Sequence, residues 1–242
     1  MNKMTDYKEK IADYWNWRST TYHEEFSDLI KEEMEVWKKT LSEYIPEGKT
    51  IRAAEIGTGP GVLALALADL GHSATGVDLS EEMIKKAANR AEELGIDAKF
   101  MQGDAENLSL DDGAYDLVIS KYLMWTLPHP EKFLEECRRI LSPGGTLVLI
   151  DGVWFNEADK EPEPDSETYF EECYQDIKEA LPLCKGNTAD KVTEIAAELG
   201  FSDASWQSLS DYDKFLREHS SPEDYAASYL APPYIIYARK PC

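Results

Sequence analysis

The chain has 242 residues and a formal net charge of −22, from 47 acidic against 25 basic side chains. Such a surface repels a phosphate backbone, which makes nucleic acid a poor candidate substrate and favours small molecules, cationic ones included; the same acidity also serves solubility. No segment is long and apolar enough to cross a membrane, and residues 1–7 lack the apolar run of a secretion signal, so a soluble cytoplasmic protein is expected. The length allows a full core in one domain. Cys137, Cys173, Cys184 and Cys242 stand too far apart for a C-x-x-C motif, so neither a metal site nor a disulfide framework is expected.

Residues 1–48 precede a regular alternation of strands and helices. The stretch Tyr14-Trp15-Asn16-Trp17-Arg18-Ser19-Thr20-Thr21-Tyr22 is dense in aromatics for a polar segment; its tryptophans either anchor the next helix or serve a site. Phe26, Leu29, Ile30, Met34, Trp37, Leu41 and Tyr44 recur at three- and four-residue steps and predict an amphipathic helix over 24–45. A short strand at 53–56 leads into Gly57-Thr58-Gly59-Pro60-Gly61. Glycine tolerates positive φ and has no Cβ, so this turn lets a ligand lie against backbone amides. A helix over 62–70 stops at Gly71, and a strand over 72–77 closes on Asp78, where a carboxylate can accept both hydroxyls of a ribose.

Ser80 caps a helix over 81–94 that carries Glu81 and Glu82 at its positive end and stops at Gly95. A third strand at 98–102 precedes Asp104 and Ala105, and a fourth at 115–120 ends on Ser120. Pro130 opens a helix whose buried face is Phe133, Leu134, Cys137, Ile140 and Leu141, and 141–150 supplies its stop, a turn and a fifth strand. Residues 152–187 read as an insertion above the carboxyl ends of the strands, helix-like over 169–180. A helix over 188–199 capped by Asn187, a strand at 204–209 and a last strand at 234–239 follow.

A dinucleotide loop, G-x-G-x-x-G, requires glycine where this chain has Val62; the third glycine falls one residue early, at Gly61, and Glu55 stands two before the first. Glu55 to Gly61, Asp78, Asp104, the strand at 115–120 and the turn Pro143-Gly144-Gly145, in this order, resemble the class I S-adenosylmethionine-dependent methyltransferases, in their small-molecule, ubiquinone/menaquinone-methyltransferase-like branch. The resemblance covers residues 50–151. It implies an α/β, Rossmann-like seven-stranded sheet, mostly parallel with an antiparallel last strand and helices on both faces. An N-terminal helical lid at 1–48 and a core at 49–242, with its cap insertion at about 152–187, complete the expected plan.

The resemblance also implies the binding residues. Gly57, Thr58, Gly59 and Gly61 would line the methionine and ribose portions of S-adenosylmethionine, with Glu55 toward the amino group. Asp78 would hold the ribose hydroxyls, Leu79 and Met83 would cover the adenine, and Asp104 and Ala105 would meet its edge. Ser120 would face the methionine moiety, and Tyr22 would approach it from the lid, with Trp17 and Arg18 nearby.

The implied reaction moves a methyl group to a small-molecule acceptor and leaves S-adenosylhomocysteine. Displacement at carbon needs alignment, which supplies about 7–11 kcal/mol in the best oriented cases, and a base only for an acceptor that holds its proton at neutral pH. No catalytic residue is fixed; Tyr22, Tyr122 and His129 are the candidates, and where some relatives carry a histidine pair this chain has Trp125-Thr126. Trp17, Arg18, Lys121, Tyr122, Trp125 and Trp154, with Phe155, are candidates for the acceptor side. The aromatic ones suit a flat or cationic acceptor, or core packing; Lys121 suits a carboxylate, or the surface. A protein or RNA methyltransferase, a non-catalytic S-adenosylmethionine- or S-adenosylhomocysteine-binding protein and a dinucleotide oxidoreductase are the alternatives. The acceptor and the oligomeric state stay open.

Overall fold

The computed structural model describes residues 3–22, 27–154, 169, 173–174, 177–221, 225 and 232–242. The strands are β1 (Arg52–Ile56), β2 (Ser73–Asp78), β3 (Lys99–Gln102), β4 (Tyr115–Lys121), β5 (Leu141–Asp151), β6 (Ser202–Ser208) and β7 (Tyr234–Arg239). They form one seven-stranded sheet in the order β3-β2-β1-β4-β5-β7-β6. β1 pairs in parallel with β2 and β4, β2 with β3 and β4 with β5, whereas β7 runs antiparallel to both β5 and β6.

Parallel neighbours need crossovers, and helices supply them: α3 (Val62–Asp69) from β1 to β2, α4 (Glu81–Leu94) from β2 to β3 and α5 (Pro130–Ile140) from β4 to β5. The sheet is covered on both faces, so β1 is apolar on both. Ala53 enters one core with Trp37 and Leu65, while Ala54 and Ile56 enter the other with Phe133 and Val192. After β3 the chain crosses back to place β4 beside β1, and at such a reversal the carboxyl ends of the strands diverge into a crevice.

The capping signals read from the sequence are present. Ser80 Oγ accepts the Met83 N–H at 3.1 Å, Gly95 ends α4 at φ +67°, and Asn187 Oδ1 accepts the Ala189 N–H at 2.9 Å ahead of α6 (Ala189–Glu198). The helix expected over 24–45 is shorter: a 3₁₀ turn at Ser27–Leu29 leads into α2 (Ile30–Ser42), and residues 24–26 lie outside the described residues. Pro46 disfavours helical backbone at Ile45, which explains the early end. Met34, Trp37 and Leu41 of α2 are buried.

Two further helices were not legible as such. α1 (Lys3–Arg18) contains the aromatic segment, and α7 (Ser210–His219) buries only Tyr212, Phe215 and Leu216 in an otherwise polar decapeptide. The helix-like stretch at 169–180 lies largely outside the described residues; its described end is a 3₁₀ turn at Lys178–Ala180. Among the described residues no helix is long and apolar enough to cross a membrane, and no three acidic, histidine or cysteine side chains gather for a metal ion.

Gly61 opens α3 at φ +86°, where an added Cβ would lie 3.0 Å from Ala87 Cβ and from the Phe100 ring. We expect Gly61→Ala to destabilise the fold by about 1–3 kcal/mol, read as a lower urea midpoint. An unchanged midpoint would mean that the loop relaxes around the methyl group.

Candidate active site

Two carboxylates hold the glycine turn that follows β1. Glu55, only 2% exposed, folds under the loop and accepts the Thr58 hydroxyl at 2.6 Å and the Ala64 N–H at 2.8 Å. Burial pushes its pKa up to about 7 against the pull of those bonds and of Lys121. Asp78, at the tip of β2, accepts the Gly59 N–H at 2.8 Å and the Ser80 N–H at 2.9 Å, and burial lifts it to about 6. The Gly57 and Thr58 N–H groups donate to Val77 O at 2.8 and 2.9 Å, so the turn is tied along β2. A Cβ at Gly59, where φ is +49°, would meet only Tyr22 Cε1 at 3.8 Å; that side of the loop faces open space.

The open space is a cleft, open to solvent, at the carboxyl ends of β1, β2 and β4. Gly57, Gly59, Asp78, Leu79, Met83, Asp104 and Ala105 line it from the core, with Lys121 and Tyr122 from the end of β4. α1 covers it with Lys8, Ile11 and Trp15, and Tyr22 follows. Lys8 Nζ donates to Asp104 Oδ2 at 2.5 Å and lies 2.8 Å from Glu106 Oε2; burial alone would lower its pKa, but the two carboxylates hold it raised. Ser80 Oγ donates to Asn16 Oδ1 at 2.7 Å, and Lys86 Nζ donates to the Ser19 and Tyr22 carbonyls at 3.0 and 2.8 Å. The segment is therefore latched at three points along its length.

Past β4 the cleft ends in buried charge and rings. Tyr122 is 5% exposed and sits at φ +58°, a left-handed conformation that costs about 1–3 kcal/mol for a side chain of this size. Lys121 Nζ lies 3.6 Å from Glu33 Oε1 and 5.2 to 5.5 Å from the ring centres of Tyr122, Trp37 and Tyr212. Glu33 in turn accepts Trp37 Nε1 and the Tyr212 hydroxyl, each at 3.1 Å. Trp15 meets Trp125 edge-on at 6.2 Å, Trp125 packs on Trp154 at 4.8 Å, and Trp154 meets Tyr122 edge-on at 5.8 Å. Behind these rings Asp151 accepts the Gly152 N–H at 2.9 Å and Trp154 Nε1, with burial pushing its pKa up to about 7.

Residues 54–149 match the family described as methyltransferase domain. Over this stretch, two fifths of its length, the chain is similar to the class I S-adenosylmethionine-dependent methyltransferases. Over 99 residues it is 35% identical to the ubiquinone biosynthesis O-methyltransferase of Maricaulis maris, covering 40% of this chain and 39% of that one. Over 102 residues it is 33% identical to the phosphatidylethanolamine N-methyltransferase of Cereibacter sphaeroides, covering 41% and 50%. The matches thus span two fifths to half of these curated relatives. Phosphoethanolamine N-methyltransferase 2 of Haemonchus contortus, solved with phosphomonomethylethanolamine and S-adenosylhomocysteine, superposes with a TM-score of 0.67 at 19% identity over 95% of this chain and 60% of that one. The [4+2]-cyclase SpnF superposes with a TM-score of 0.59 at 21% identity over 84% and 80%. At these identities the structural likenesses speak for the methyltransferase fold alone.

Within the methyltransferase domain, the expected residues fall into two groups. Tyr22, Gly57, Gly59, Asp78, Leu79, Met83, Asp104 and Ala105 line the cleft, as do Lys121 and Tyr122. Glu55, Thr58, Gly61 and Ser120 stand behind the lining: Glu55 and Thr58 bond each other, Gly61 packs on α4, and Ser120 Oγ donates to Ile56 O at 2.7 Å.

The other candidates lie farther out. Trp17 is 40% exposed and packs on Tyr169 at 4.8 Å; the Arg18 guanidinium sits 5.7 Å over the Tyr22 ring. Trp125 and Trp154 belong to the ring cluster, and Phe155 lies outside the described residues. His129 caps α5 outside the lining, its N–H donating to Glu106 at 2.7 Å and its Nδ1 3.3 Å from Glu131.

Sequence reasoning left Trp15 open and missed Lys8 and Ile11, which share one helical face with it by their spacing, and it missed Glu33 and Asp151. The only trace of Asp151 was an acid closing an apolar strand.

Folded Glu55 holds its proton up to about pH 7, against 4.5 ordinarily, so between these values the folded state binds more protons and stability falls as pH rises. Glu55→Gln removes that loss. Urea denaturation is expected to show the variant gaining about 2–3 kcal/mol relative to the wild type between pH 5 and pH 8. Parallel pH profiles would mean that Glu55 titrates normally.

Proposed function

We propose that this chain uses S-adenosylmethionine to methylate a small molecule beneath an N-terminal helical lid, with residues 1–48 as lid and 49–242 as core. The observation that carries the reading is the cleft itself: backbone left open at Gly59, a carboxylate beside it at Asp78, and α1 latched across the top. These residues fit the donor. Asp78 would accept the ribose hydroxyls, Leu79 and Met83 would cover the adenine, and Asp104 and Ala105 would meet its edge. Gly57 and Gly59 let the amino-acid end lie against backbone, while Glu55 and Thr58 keep that backbone in place. When bound, the donor supplies an electrophilic methyl group on a sulfonium centre. The chain's part is to align the acceptor with that methyl group and to keep water out, which the lid and the buried rings behind Tyr122 serve.

A compact acceptor is favoured over protein or RNA by the latched lid and by the net charge of −22. The names of the curated relatives, which concern ubiquinone biosynthesis and phosphatidylethanolamine, support a metabolite or lipid rather than a macromolecule. One observation favours a second reading, in which the domain binds the nucleoside without moving a methyl group: the fold recurs in a [4+2]-cyclase. Formation of S-adenosylhomocysteine with a one-methyl mass gain in a metabolite pool supports the first reading. Tight binding of S-adenosylmethionine with no methylated product in any extract supports the second.

Asp78→Ala is expected to weaken S-adenosylmethionine binding ten- to a hundredfold, as a lost charged hydrogen bond of about 1.5–3 kcal/mol requires. Calorimetry showing unchanged affinity in the folded variant would remove Asp78 from the site.

A further inference from the structure

Two buried polar atoms stand without a hydrogen-bond partner at neighbouring strand ends. The Tyr122 hydroxyl belongs to a side chain that lines the cleft, and Asp151 Oδ2 belongs to a carboxylate that is 2% exposed. The two residues follow paired positions of the sheet: Lys121 is in register with Ile150, and the Tyr122 N–H donates to Ile150 O at 2.8 Å. An orphaned buried carboxylate oxygen is costly; Asp151 stands behind the cleft lining rather than in it, and a donor that reached past Tyr122 to both atoms would remove that cost.

The chain itself shows which chemistry such surroundings hold. On the other side of the shared Tyr122 ring, Glu33 and the rings of Trp37 and Tyr212 surround the Lys121 ammonium. Asp151 repeats the composition, a buried carboxylate among Tyr122, Trp154 and Trp125, but no lysine or arginine among the described residues pairs with it. The charged and titratable groups that act on Tyr122 are Tyr22, Asp151, Glu33 and Asp213, with Lys121 over its ring and already matched by Glu33. Glu33 and Lys121 offset each other, as do Asp213 and Arg217, which leaves Asp151 as the carboxylate without a cationic partner in this group and open to a cationic guest.

We propose that Asp151 and the Tyr122 hydroxyl form a receptor for the protonated amino group of a small amine, walled by Trp125 and Trp154, and that this amine is the methyl acceptor. The inference rests on the reading of the cleft as a methyl-donor site. Before an ammonium can accept a methyl group one N–H bond must break, its electron pair staying on nitrogen. The proton passes to Asp151 Oδ2 and from there to solvent once the product has left. A carboxyl group whose pKa lies near 7 suits that exchange.

The test uses the full chain saturated with S-adenosylhomocysteine, titrated calorimetrically with phenethylamine and with 2-phenylethanol, a pair alike in size and different in charge. Phenethylamine is expected to bind at least tenfold more tightly. Asp151→Asn is expected to abolish the difference without changing the affinity for S-adenosylhomocysteine. Because Asp151 also holds Gly152 and Trp154, Tyr122→Phe serves as the second variant and is expected to cut the preference three- to tenfold in a protein with unaltered near-ultraviolet dichroism. Equal affinities, binding of neither compound, tighter binding of the alcohol, or a preference that survives both variants would overturn the proposal. Failure to bind S-adenosylhomocysteine at the outset would instead sink the donor site on which it rests.

Discussion

The turn between β1 and α3 depends on two acids, Glu55 buried beneath it and Asp78 half-buried at the edge of the cleft. Glu55 holds it from beneath through Thr58 and Ala64, and Asp78 holds it from the side through Gly59. Without these bonds, three glycines in five residues would be the most mobile part of the core; with them, their backbone amides keep one orientation. The consequence is a rigid floor at the switch point of the sheet, against which a flat ligand can be placed before any lid closes. Burial raises the pKa values of both acids, so the same arrangement that orders the floor makes the fold sensitive to pH.

α1 and the far wall are held by different chemistry. α1 is held by polar ties from half-buried side chains to the core, Lys8 to Asp104 and Glu106, and Asn16 to Ser80. The wall is held by buried charge and stacked rings. A buried pair such as Lys121 and Glu33 adds little net stability over an apolar pair, but it fixes geometry because neither partner can move without leaving the other uncompensated.

Much of this was legible in the sequence because it is local. The glycine turn, the Ser80 cap, the Gly95 stop and the alternating strands follow from rules that act within a few residues, and they fixed the core from β1 to β5. The resemblance to the methyltransferases rests on the same stretch, and the positions it marks for the cofactor lie mostly in the cleft lining. What was not legible is tertiary. Nothing near Glu33 in the chain reports that it meets Lys121, and Asp151 looks like any acid closing a strand until the sheet brings Tyr122 beside it. α7 escaped because three apolar residues in ten carry too little periodicity, and α1 because its aromatic half drew attention from the spacing of Lys8, Ile11 and Trp15. Glu55 was read as turned toward the donor's amino group, and its carboxylate is taken up by Thr58 and the Ala64 N–H.

A crystal structure of the protein grown with S-adenosylhomocysteine tests the central claim most directly. The account predicts density in the cleft with both ribose hydroxyls on Asp78, the backbone of Gly59 against the ligand, and the sulfur turned toward Tyr122. An empty cleft at saturating ligand, or a ligand bound elsewhere with Asp78 still held only by Gly59 and Ser80, would contradict it.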